Sequence, residues 1–321
     1  MTRLVASRPM NFQQLRYIRE TVRRSLNLTE AAHALHTSQP GVSKQIRELE
    51  IELGVKIFER HGRRLTALTP PGRDMMRFIE RILVEADNIR RVGESYATQD
   101  SGRLTIATTH TQARYVLPRI VAEFRSRFPK VRLALLQGNP ASVAQWVLAG
   151  DAEIGIATES LNQLDDLVAL PAYRWSHAIV VRRGHPLADG HAPSLTELSK
   201  FPIVTYNTEF AGRRHIDAAF ARERLQPDVV LTAIDSDVIK TYVGLGLGVG
   251  IIASMAYDDQ RDQDLVSVDA SHLFPINTTF VAIRKHAYLR DFAFDFIASF
   301  APSLSPDKVA ELLQKHRFHD E

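Results

Sequence analysis

The chain of 321 residues has room for two or three domains of ~100–200 residues each, and 45% hydrophobic with 24% charged residues excludes a disordered or fibrous protein. Cysteine is absent, which excludes a disulfide framework, a thiolate metal site and a cysteine nucleophile and points to a cytoplasmic setting. The net charge of +3 conceals an asymmetry: residues 11–73 hold eleven Lys and Arg against six Glu, a net +5, leaving the remainder at −2. Basic charge gathered in one small segment is the footprint of a polyanion-binding module joined to something else.

The opening MTRLVASRPM carries two Arg and no apolar stretch of ~7–15 residues, so it reads as a disordered leader rather than a secretory signal. Apolar positions 12, 15, 18 and 22 share one helical face and predict a first helix. Thr29 and Glu30 open a second, with Ala31, Ala32 and Leu35 inward, which stops at HTS. Ser38 caps a third, with Pro40 in its first turn, where a missing N–H costs nothing, and the helix ends near Leu53. VKIF and RHGRRLTALT then predict a two-stranded wing. From Pro71 to about Tyr96 runs a long helix with Met75, Ile79, Ile82, Leu83, Ala86 and Ile89 on one stripe. Such a stripe with no domain around it pairs with another copy of itself, so Ile79, Ile82, Ala86 and Ile89 are the expected dimerisation residues.

After the polar boundary TQDSG (98–102) the texture changes. RLTIATT, RLALLQG, EIGIATE, HAIVVRRG, FPIVTYN and GVGIIAS are short buried-strand candidates separated by helical runs, an alternation that predicts an α/β region with largely parallel strands. The stretch at 241–257 is Gly-rich and short of the ~18 apolar residues of a membrane span. Within it, GLGLGVG follows a helical run rather than a strand, so it reads as a helix stop feeding a strand rather than a dinucleotide loop.

Spacing joins the second and third helices into a helix-turn-helix. Gln39, Ser43 and Arg47 recur at four-residue steps on one face, with Val42, Ile46 and Leu49 toward the core. Long polar groups on one stripe suit base edges and phosphates. Ser38, Gln39, Pro40, Ser43, Lys44 and Arg47 are therefore the candidate DNA contacts, with Arg63 and Arg64 of the wing on the adjacent backbone or minor groove. In ATTHTQARYVLP (107–118) three hydroxyls, a His and a Gln crowd a helix start, where backbone N–H groups lack partners and attract anions. His110 has no second ligand at a suitable spacing, so no metal site is expected. No hydrolase, zincin or kinase signature occurs, and no enzymatic chemistry is expected.

TEAAHALHTSQPGVSKQIRELEIELGVKIFERHGRRLTALTPPG resembles the N-terminal winged helix-turn-helix of LysR-type transcriptional regulators, and the strand–helix alternation is similar to that family's effector region. IATTHTQARYVLP, DVIKTYVGLGLGVGIIASMA and HAIVVRRGHPLA resemble the CysB-type branch, activators of sulfur assimilation and cysteine biosynthesis. The resemblance implies an anion pocket between two lobes using Thr109, Thr111 and Gln112, with Thr158 nearby. It implies control by O-acetylserine or N-acetylserine opposed by sulfate or thiosulfate, with no further cofactor. It also implies double-stranded promoter DNA and RNA polymerase as partners, and a dimer of dimers. The chain departs from the branch at Ala211, where a Thr often stands, which weakens the case for sulfate as ligand.

The expected architecture is α/β overall: a winged helix-turn-helix over 10–69, a linker and dimerisation helix over 70–98, and a two-lobed effector domain over 101–321 resembling periplasmic binding proteins. Lobe I is expected at about 101–170 and 274–300, lobe II at about 171–273. The expected function is that of a cytoplasmic, DNA-binding regulator with no membrane association. Two alternatives stay open: a LysR-type regulator of another pathway, such as sulfonate use, and a solute-binding sensor that does not bind DNA.

Overall fold

The computed structural model describes residues 9–62, 64–97 and 101–318, so residues 1–8 of the expected leader and Arg63 lie outside the described residues. The chain divides into two compact units, 1–92 and 93–321.

In the first unit, Asn11 and Gln14 form a reciprocal capping box at the start of α1 (Phe12–Arg23). Asn27, rather than Thr29, caps α2 (Leu28–Ala34): its side chain accepts from the amides of Thr29 and Glu30. Ser38 caps α3 (Gln39–Leu53) by accepting from the Gly41 amide, and Gly54 ends the helix in the left-handed conformation. Val42, Ile46 and Leu49 of α3 are fully buried against Leu15, Ile18 and Leu28, a burial that stabilises by ~1.5–3 kcal/mol per side chain. The wing is an antiparallel pair, β1 (Phe58–His61) and β2 (Arg64–Leu68), turning at Gly62, whose φ of 61° suits glycine.

The following helix, α4 (Pro70–Ala97), requires a correction. Ile79, expected at a subunit interface, is 5% exposed and packs with Leu83 into the unit's own core. Ile82 and Ile89 stay exposed and Ala86 is half-buried, so the apolar positions of α4 split between two faces. The sequence spacing merged them because i, i+3 and i+4 steps span a wide arc.

The second unit holds two five-stranded mixed sheets. The chain runs β3 (Gly102–Thr108), a π-helical turn (Gln112–Val116), α5 (Leu117–Arg127), β4 (Val131–Gln137), α6 (Pro140–Ala149), β5 (Ile154–Thr158) and β6 (Leu167–Trp175). It crosses to lobe II for β7 (His177–Arg182), α7 (Leu195–Leu198), β8 (Ile203–Tyr206), α8 (Ala211–Arg222), β9 (Val229–Ala233), α9 (Ser236–Gly244), β10 (Val249–Ala253) and β11 (Leu265–Asp269). It returns to lobe I with β12 (Asn277–Arg284), α10 (Asp291–Phe300) and α11 (Pro306–Phe318). The strand orders are β4-β3-β5-β12-β6 and β11-β7-β10-β8-β9.

Two strands, β7 where the chain enters lobe II and β12 where it returns to lobe I, are antiparallel to their neighbours, so the sheets are mixed where the sequence suggests largely parallel ones. β6, absent from the strand candidates, carries Pro171 and lies at the sheet edge, paired only with β12 across a register shift between Thr279 and Phe280, a place where a strand tolerates a residue without an N–H. Because β6 continues to Trp175, the first crossing falls at Ser176 rather than at 170. Leu104, Ile106, Phe124 and Phe296 anchor the core of lobe I, and Ile179, Ile203, Phe220 and Ile251 that of lobe II.

Glu50 of α3 is almost wholly buried, accepts from the amides of Ile57 (3.0 Å) and Phe58 (3.2 Å), and lies 3.6 Å from Lys56 and 3.9 Å from Arg60. It ties the recognition helix to the root of the wing. Glu50→Ala leaves two buried amides without an acceptor and is expected to destabilise the N-terminal unit by ~2–4 kcal/mol in urea unfolding. A loss below ~0.5 kcal/mol would show that water satisfies those amides instead.

Candidate functional site

Two groups of residues carry chemistry, one in each unit. On α3, Ser38, Pro40, Lys44 and Arg47 are exposed, Gln39 and Ser43 are half-buried, and the opposite side is core. Lys44 lies 3.8 Å from Glu48 in solvent, a contact too weak to hold it from another anion. Arg64 is exposed at the start of β2. Lys56 and Arg60, by contrast, answer the buried charge of Glu50.

The second group forms a cavity between the lobes of the second unit. Thr109 follows β3, Thr111 and Gln112 stand at the π-helical turn, and Thr158 ends β5; all four line the cavity with Pro140. The facing wall is Trp175 at the crossing, Tyr206 ending β8, Phe210 and Gly212 at the start of α8, and Ala253 with Met255 after β10. Ligands of open α/β sheets bind in such a crevice, outside the carboxyl ends of the strands. Among the described residues, no lining side chain is charged.

The donors there are neutral and partly spent. Gln112, 3% exposed, donates through Nε2 to Thr279 Oγ1 (3.3 Å) and accepts from the Tyr173 hydroxyl, so one amide hydrogen remains for a guest. Burial pushes the Tyr206 phenol up to about 12, so it stays protonated; its hydroxyl lies 2.7 Å from Ser236 Oγ and accepts from the Ala253 amide at 2.9 Å. The indole N–H of Trp175 is buried with no acceptor among the described residues. α8 starts with Phe210 at its cap position and no side-chain cap, and the turn at Thr111 also lacks one. A methyl group at Gly212 would sit 3.0 Å from His177 Nε2, so glycine lets the first turn of α8 descend onto that ring. His177, buried behind Trp175 at 5.3 Å between ring centroids, is pushed down to about 3 by desolvation and then by His215, and is neutral at physiological pH.

The sequence singled out Thr109, Thr111, Gln112 and Thr158, which the fold gathers, but not Trp175, Tyr206, Phe210 or Gly212. Those are separated from it along the chain and sit in no local motif. The expectation that His110 has no metal-ligating neighbour also needs correcting. Ligand atoms of His110, Asp235 and Asp237 lie within 4.8 Å of one another, brought together from the two lobes. Asp237 is nevertheless held by Arg114 Nε (2.6 Å) and the Tyr115 hydroxyl (2.7 Å), and Asp235 caps α9 through the Val238 amide (2.8 Å). The protein's own cation and donors already answer these carboxylates.

Residues 12–73 match the model of the bacterial regulatory helix-turn-helix protein of the lysR family, and residues 97–305 match the LysR substrate binding domain. The chain belongs to the LysR family. It is 55% identical over 306 residues to the HTH-type transcriptional regulator SsuR of Burkholderia cenocepacia, covering 95% of this chain and 99% of that one. It is 51% identical over 305 residues to CysB of the same organism, covering 95% and 97%. The solved cofactor-binding domain of the Cbl transcriptional regulator matches at 43% identity with a TM-score of 0.64, covering 66% of this chain and 93% of that one. This LysR-type transcriptional regulator thus lies in the CysB-type branch, a family whose members bind DNA and small effectors and form oligomers. Among the described residues, no helix is long and apolar enough to cross a membrane.

Placement on α3 or on the wing separates two roles for the exposed arginines Arg47 and Arg64. Arg47→Ala is expected to cost ~1–3 kcal/mol on a specific duplex and little on a scrambled one, whereas Arg64→Ala weakens both alike and flattens the salt slope. Fluorescence anisotropy on the two duplexes reads this; equal losses for Arg47→Ala would make it a phosphate contact.

Proposed function

We propose that this regulator activates sulfate-assimilation and cysteine-biosynthesis genes, reading a small oxyanion, sulfate or thiosulfate, against O-acetylserine or N-acetylserine in the inter-lobe cavity. The observation that carries the reading is a wall of Thr and Tyr hydroxyls, the Gln112 amide and the Trp175 indole set among apolar side chains, with no charged side chain among the described residues. Such a wall suits a fully ionised oxyanion that must also leave, since its departure strands no buried counter-charge. Kinship with CysB supports the same pathway.

DNA binding falls to Ser38, Gln39, Pro40, Ser43, Lys44, Arg47, Arg63 and Arg64, and ligand binding to Thr109, Thr111, Gln112 and Thr158. Trp175 and the start of α8 join the ligand set. Ile82 and Ile89, exposed on α4, favour self-association through that helix, and a dimer of dimers acting with RNA polymerase in the cytoplasm completes the proposal. A second reading within the same class, regulation of another pathway such as sulfonate use, is favoured by Ala211, which brings no hydroxyl to the first residue of α8.

Isothermal titration of the full chain with sulfate, thiosulfate, O-acetylserine and N-acetylserine tests the proposal. Thr109→Ala should weaken the bound anion by ~10-fold or more, the worth of one hydrogen bond to a charged partner, and Ala211→Thr should tighten sulfate. Unchanged affinities in Thr109→Ala would reduce the motif to a helix cap. Absence of binding by all four compounds would overturn the sulfur assignment.

A further inference from the structure

The turn that presents Thr111 and Gln112 to the cavity also reaches across to the other lobe. Two and three residues beyond Gln112, Arg114 and Tyr115 grip one carboxylate, Asp237, in the first turn of α9: Arg114 Nε to Oδ2 at 2.6 Å and the Tyr115 hydroxyl to Oδ1 at 2.7 Å. Lys240 of α9 lies 5.1 Å from the centre of the Tyr115 ring and is itself fixed by Ala256 O (2.9 Å) and Asp262 (2.8 Å). On the other rim a second bond joins the lobes, Asn139 Nδ2 to Glu209 Oε2 at 2.7 Å, next to the lining residues Pro140 and Phe210.

These contacts share a property that packing alone does not require. Arg114, Tyr115 and Asp237 do not line the cavity, yet they fix the backbone that does, and they fix it to the opposite lobe. Arg114 and Asp237 are partly exposed, so the charged part of the grip is made of groups that water can release, while the Tyr115 ring packs on the lobe II core. A partly solvated carboxylate held by two donors from lobe I, with Lys240 of its own helix at 3.8 Å, can open and close.

We propose that Arg114 and Tyr115 on Asp237 form a cross-lobe clasp, and that these are positioning residues that hold the Thr111–Gln112 turn in its binding-competent place and set how long a ligand stays. An open clasp lowers the fraction of molecules whose cavity is assembled, and apparent affinity falls by that fraction. The Asn139–Glu209 bond restrains the other rim in the same sense. The proposal rests on the oxyanion reading only for its ligand measurements, because the clasp is defined without a ligand.

The chain contains no cysteine, so single labelling sites can be introduced cleanly. Ser126→Cys in lobe I and Glu223→Cys in lobe II, both exposed, carry spin labels on the full-length protein. Without ligand, the interlobe distance distribution should broaden in Asp237→Ala and, less so, in Tyr115→Phe. Sulfate followed by Trp fluorescence should bind roughly 3- to 10-fold more weakly in Asp237→Ala, mainly through faster dissociation, with Asp237→Asn between it and the unaltered protein. Thermal unfolding serves as control, and Tyr115→Phe replaces Asp237→Ala if that variant fails to fold. Distance distributions identical to the parent in both variants would overturn the clasp, as would an affinity loss only in proportion to lost thermal stability. A broadened distribution in a protein that binds no sulfate even with the clasp intact would uphold the clasp and refute the oxyanion reading.

Discussion

The π-helical turn Gln112–Val116 is anchored at one end to its own sheet, through Gln112 on Thr279 and Tyr173, and at the other to lobe II, through Arg114 and Tyr115 on Asp237. A π-turn adds one residue to a helical turn, and such segments are frequent at functional sites. Thr111 and the turn that follows it together serve three tasks: Thr111 lines the cavity, Gln112 buries an amide in lobe I, and Arg114 and Tyr115 extend a cation and a phenol to lobe II. The geometry of the cavity follows from that division of labour.

Electrostatics reinforces it. Ionised side chains are kept out of the cavity wall and spent elsewhere: Arg213 on Asp217 and Tyr206 O, Lys240 on Asp262, Arg114 on Asp237. Inside, burial holds His177 neutral and Tyr206 protonated, so neither changes charge across the physiological range. An anion entering meets dipoles already oriented and partnered, apart from the indole of Trp175 and the opening turn of α8. The N-terminal unit reverses the arrangement: one carboxylate, Glu50, is buried to receive two amides, and the cations Lys44, Arg47 and Arg64 are left outside.

What the sequence disclosed depended on how local the physics is. The Ser38 cap, the core face of α3 and the Gly62 turn are decided within a few residues, and pattern reading located them. Thr109 and Thr111 were visible because hydroxyls crowding a helix start are a local oddity. Trp175, Tyr206 and Asp237 were not, since each acts on residues far away in the chain, and only the closure of two sheets brings them there. The same reason explains Asp235 near His110, which spacing along the chain had excluded. Ile79 shows the opposite failure: its periodicity was read correctly as apolar, but periodicity does not say which core a stripe joins. β6, interrupted by Pro171, fits no strand pattern in the sequence; the proline is accommodated at an edge strand beside a register shift.

Occupancy of the cavity and grip on DNA must be linked if this chain works as a ligand-controlled regulator, and linkage is reciprocal. The most direct test uses the full-length protein with a duplex it has itself selected from a random pool, measuring sulfate and N-acetylserine affinities with and without that DNA. The expected result is a change of ~5-fold or more in at least one affinity on adding DNA, matched by an equal change in DNA affinity on adding that ligand, and lost in Thr109→Ala. Affinities that ignore DNA in the unaltered protein, or a coupling that survives Thr109→Ala intact, would contradict control through the Thr109–Gln112 turn.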